Sequence, residues 1–113
     1  MTQMQKLENQ KVKAIDLLRQ YRDNIAARQD AQQFPGHYSL EQLHWINQSI
    51  IIAESIVQHI TPYRLRQAAR LYYMDSNVNQ TWEAVAELVQ YCSGGDALRK
   101  QVHRSIKKSK IIK

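Results

Sequence analysis

Apolar residues recur at steps of three and four along most of this chain. Met4, Leu7, Ala14, Ile15, Leu17, Leu18, Tyr21, Ile25 and Ala26 follow that spacing between charged positions, without Gly or Pro, which predicts one long amphipathic helix over 4–31. Pro35-Gly36, preceded by Gln32, Gln33 and Phe34, predicts a turn. Ser39 with Gln42 three residues later has the form of a capping box. It opens a second predicted helix over 40–60, carrying Leu43, Ile46, Ile50, Ala53, Ile56, Val57 and Ile60. The β-branched run Ile50-Ile51-Ile52 suits a strand in isolation. Its neighbours keep the helical period, and intrinsic propensity is a weak term beside tertiary packing.

The remainder divides into three shorter helices, each with its own punctuation. Thr61 is a capping residue followed by Pro62, expected at the first helical position of a helix over 62–74, with Leu65, Ala68, Ala69, Tyr72 and Tyr73 turned inward. After the polar stretch 75–79, Thr81 caps a predicted helix over 82–90, with Trp82, Val85, Ala86 and Val89 on one face. Ser93-Gly94-Gly95-Asp96 breaks the chain, and Asp96 is the expected cap of a last helix over 97–109. The fold class expected is therefore all-α. About five helices form a long N-terminal helical hairpin (1–60), followed by a three-helix module (61–113).

Charge sharpens this division. The net charge is +6, yet residues 1–60 carry six Lys/Arg and six acids, so the whole excess lies in 61–113. From Ala97 onward there are seven bases and no acid. A positive field concentrated at one end suits a polyanion. Three capped helices, the last of them basic, have the outline of a helix-turn-helix. In that arrangement the second helix of the pair packs by an apolar stripe and exposes its other side to the major groove. Leu98, Val102 and Ile106, four apart, supply the stripe. Asp96, Arg99, Lys100 and His103 in the first turns are the expected base readers. Arg104, Lys107, Lys108 and Lys110 are better placed for phosphates. Thr81 and Trp82 open the supporting helix, whose N-terminal N–H groups can also hold a phosphate.

The motifs Leu71-Tyr72-Tyr73-Met74, Thr81-Trp82-Glu83-Ala84-Val85-Ala86-Glu87-Leu88 and Val102-His103-Arg104-Ser105-Ile106-Lys107-Lys108 resemble the C-terminal module of phage late-transcription regulators of the RinA/ArpU type, itself similar to region four of bacterial sigma factors. The resemblance covers roughly 62–110. The loop from Met74 to Thr81 and the turn from Val89 to Asp96 are both longer than in that family. It implies a sequence-specific, double-stranded DNA-binding transcriptional regulator of phage or prophage origin. Residues 1–60 would then supply homodimerisation, a higher oligomer, or a contact to RNA polymerase. A long helix followed by an apolar one equally fits an ordinary helical core.

Other chemistries have little support in the sequence. His37, His44, His59 and His103 are dispersed, and Cys92, expected to pack at a helix end, has no second thiol. Glu41-x-x-His44 has the spacing of a carboxylate-bridged metal site, but such sites need the motif twice. Ser93-Gly94-Gly95 lacks the Lys and the spacing of a nucleotide loop, and no nucleophile–base pair is suggested. Neither an enzyme nor a cofactor is expected. No uncharged run approaches a membrane span of roughly 18 residues, and the expected location is the cytoplasm. Two rival functions fit the same pattern: the small subunit of a phage DNA-packaging terminase, and a helical adaptor or inhibitor docking on a transcription protein.

Overall fold

A computed structural model describes residues 14–75 and 80–108. Among them are six α-helices and no strand: α1 (Ala14–Arg19), α2 (Tyr21–Gln33), α3 (Leu40–Gln58), α4 (Tyr63–Tyr73), α5 (Trp82–Leu88) and α6 (Gly95–Lys108). The all-helical class expected from periodicity is thus the observed one.

The predicted first helix is divided in two at Gln20, and its portion before Ala14 lies outside the described residues. Gln20, between α1 and α2, sits at φ −88°, ψ −4°, in the right-handed region, while the N–H of Gln20 reaches Asp16 O at 3.1 Å and that of Asn24 reaches Gln20 O at 2.9 Å. The division at Gln20 thus falls between the last bond of α1 and the first bond of α2. Its consequence is positional. Leu17 and Leu18 are fully buried and carry α1 onto α3 and α6, while α2 continues alongside α3.

A short 3-10 turn at Pro35–His37 reverses the chain, with the Phe34 and His37 rings stacked at 5.3 Å. The capping box opens α3 as expected. The Gln42 N–H donates to Ser39 Oγ at 3.0 Å, and the Ser39 N–H donates to Gln42 Oε1 at 2.8 Å. Ile50, Ile51 and Ile52 are helical. Ile50 is buried and Ile52 packs on the main core, whereas Ile51 is exposed.

Two helix starts differ from the expectation. Pro62, not Thr61, is the boundary residue of α4. Its extended ψ of 175° keeps it out of the first turn, and its carbonyl accepts the Leu65 N–H at 3.0 Å. Thr61 is exposed and no side chain caps this end. Asp96, expected to cap the last helix, lies inside it. Here α6 begins at Gly95, with the Leu98 N–H donating to Gly94 O at 3.1 Å.

One buried cluster joins Leu17 and Leu18 of α1, Ala53, Ile56 and Val57 of α3, Ile60, and the inward residues of α4, α5 and α6. Packing is therefore continuous across residue 60. Arg22 strengthens the junction. Its Nη2 donates to Tyr72 O at 2.7 Å and to Leu71 O at 3.4 Å, so a cation from α2 satisfies carbonyls left open at the C-terminal end of α4.

Candidate nucleic-acid interface

The chain between α5 and α6 is built from backbone hydrogen bonds. The Tyr91 N–H donates to Ala86 O at 2.8 Å and the Gln90 N–H to Glu87 O at 3.2 Å. This is the paired closure of a helix ending on a left-handed residue, and Gln90, at φ 57°, is that residue. Cys92, expected to pack, is exposed in this turn. The burial there falls instead to Val89, with Tyr91 packed beside the core. Gly94, at φ 91°, completes the reversal into α6.

The start of α6 is held by a residue that local sequence rules do not single out. Glu83 Oε1 accepts the Gly95 N–H at 2.9 Å. The backbones come so close that a Cβ on Gly95 would stand 2.5 Å from the Glu83 nitrogen. A carboxylate from the supporting helix thus caps the helix that follows, twelve positions away. No local capping rule reaches that far, and Asp96, the cap expected from local sequence, is displaced from that role by Glu83.

Leu98, Val102 and Ile106 form the buried stripe of α6, at 0%, 0% and 3% exposure. Each such burial contributes about 1.5–3 kcal/mol before entropy is counted. On the opposite side Lys100, Arg104 and Lys107 are exposed, three cations along successive turns. Gln101, which charge-based reasoning passed over, is exposed as well. Asp96 is also exposed, with Oδ1 2.7 Å from Arg99 Nη2 and Oδ2 3.2 Å from Lys100 Nζ. Hydrogen bonds from Arg99 and Lys100 hold its carboxyl below the usual range, so it is ionised at neutral pH.

The other expected site residues are placed differently. His103, expected on the outer side, is half-buried, with Nε2 3.1 Å from the Tyr73 hydroxyl and the ring edge-on to Trp82. Burial, with help from Arg99, Arg19 and Lys107, pushes its pKa down. Burial also raises the pKa of the Tyr73 phenol. The neutral pair satisfies the bond in either imidazole tautomer. Trp82 stacks on Tyr72 at 4.0 Å and meets Tyr73 edge-on. These rings fasten α4, α5 and α6 together on one flank. Thr81 is exposed, and its hydroxyl oxygen accepts the Ala84 N–H at 3.1 Å. Lys108 closes α6. Its side chain lies outside the described residues, as does Lys110.

The surface so formed is a convex helix carrying amine and guanidinium donors, suited to phosphate oxygens and base edges. Among the described residues no three His, Cys, Asp or Glu side chains cluster as metal ligands, and no helix is long and apolar enough to cross a membrane. In comparisons with known protein families, curated proteins and solved structures, the chain matches none.

Proposed function

We propose that this protein binds double-stranded DNA sequence-specifically and regulates transcription, with α6 entering the major groove and α5 bracing it from behind. The observation that carries this reading is the two-sidedness of α6. Leu98, Val102 and Ile106 are buried while Lys100, Arg104 and Lys107 are exposed on the other side. A helix of about 10–12 Å diameter fits a groove about 12 Å wide. Lys100 lies in the half of α6 nearer the base edges, and Arg104 and Lys107 reach the flanking phosphates. The outer part of the α2–α3 hairpin, where Phe34 and Leu40 are exposed, is left for self-association or for contact with RNA polymerase. A phage or prophage origin belongs to the same proposal and rests on the motif resemblance alone.

Titrating the purified protein against duplex DNA over a range of salt tests the reading. Log affinity should fall with log salt at a slope near −0.9 per phosphate contacted. Arg104→Ala and Lys107→Ala should each reduce that slope by about one contact and weaken binding to all sequences alike. Selection of bound genomic fragments would supply the recognition site. Failure to bind any duplex at low salt, or a slope indifferent to both substitutions, would overturn it.

A further inference from the structure

Asp96 is the only acid in α6, a helix otherwise rich in cations, and the helix does not use it as a cap. Glu83 holds the Gly95 N–H, and the Gly94 carbonyl begins the ladder. Both Asp96 oxygens are instead given to Arg99 and Lys100, at 2.7 and 3.2 Å. Arg104 and Lys107 have no ion pair among the described residues. Among the described side chains the cations of α6 thus fall into two groups: Arg99 and Lys100, which share one carboxylate at the N-terminal end, and Arg104 and Lys107, which have none further along.

We infer that Asp96 sets sequence specificity, by withholding Arg99 and Lys100 from phosphates and presenting them to base edges. This rests on the DNA-binding reading. Two free cations at this end would add attraction that is blind to sequence. A carboxylate between them offsets one of the two charges and repels a phosphate placed beside it. An exposed pair of this kind is weak enough to rearrange, and Arg99 keeps further N–H donors for the acceptors on guanine. Discrimination is then gained by penalising the wrong surface as well as by favouring the right one.

The test compares the intact protein with Asp96→Asn, which keeps the shape and removes the charge, on a selected site and on random duplex. Glu87→Gln, an equal charge change at an exposed position of α5, serves as control, and matched thermal melts show that each variant is folded. Asp96→Asn should bind random duplex more tightly, about threefold or more. Its salt slope should steepen by roughly 0.9 for each phosphate gained. Its selected-to-random ratio should fall about fivefold or more, the low end of what one good base contact discriminates. Glu87→Gln should keep the wild-type ratio. An unchanged ratio in Asp96→Asn, or an equal fall in Glu87→Gln, overturns the inference while leaving DNA binding intact. A wild-type protein that binds no duplex, or binds without selectivity, overturns the DNA-binding reading itself.

Discussion

Glu83 and Gly95 join the last two helices, one as acceptor and the other as the space that lets the backbones touch. The bond is 2.9 Å long, and a methyl group on Gly95 would press on the Glu83 nitrogen and the Trp82 carbonyl carbon, both backbone atoms. Gly95→Ala should therefore destabilise by about 1–3 kcal/mol, because no flexible side chain can yield. Glu83→Ala should cost a similar amount by orphaning a part-buried N–H, whereas Glu83→Gln keeps an acceptor and most of the stability. Denaturant melts of the three variants check this. Equal losses for Gln and Ala would remove the hydrogen bond from the account.

Gln90 adopts a left-handed conformation without being glycine. That geometry costs an L-residue about 1–2 kcal/mol, part of which Gly returns as extra freedom in the unfolded chain. Gln90→Gly should raise stability by about 0.5 kcal/mol, and Gln90→Val should lower it by more. A thermal melt that reverses this order would contradict the closure assigned to the end of α5.

Glu83, Gly95 and Gln90 play parts that the sequence does not show. The apolar period of α3 and the stripe Leu98, Val102, Ile106 were legible because burial imposes a spacing that a single helix must obey. The capping boundaries at Ser39 and Thr81 were legible because the N–H groups their hydroxyls accept from lie three residues away. Glu83 with Gly95, Arg22 with the end of α4, and His103 with Tyr73 join residues 12, 49–50 and 30 positions apart. Local chemistry at either end carries no trace of such partners. His103 therefore reads as one more residue on a basic helix until Tyr73 and Trp82 are placed beside it.

Ser49 is buried at 1% exposure in α3, and its hydroxyl finds no hydrogen-bond partner among the described residues. A hydroxyl held away from water without a partner is a net cost. Ser49→Ala should stabilise the protein by about 1 kcal/mol while leaving its helical circular dichroism unchanged. A loss of stability would mean that the hydroxyl is satisfied in solution.

His103 gives stability a pH dependence whose sign follows from its surroundings. Burial, then the charges of Arg99, Arg19 and Lys107, lower its folded pKa below the ordinary imidazole value. In the unfolded chain it titrates near that ordinary value, about 6.5. Below that pH the unfolded state takes up a proton that the folded state resists, so stability falls as pH falls. The contribution is fully present above the unfolded pKa, where the ring is neutral in both states, and is lost progressively down through the folded pKa. His103→Gln keeps a polar partner for the Tyr73 hydroxyl and removes the titration. Melting temperature should therefore drop less between pH 7.5 and 5.5 in His103→Gln than in the wild type. Parallel pH profiles for the two proteins would show that the imidazole is not held neutral against Tyr73 and Trp82.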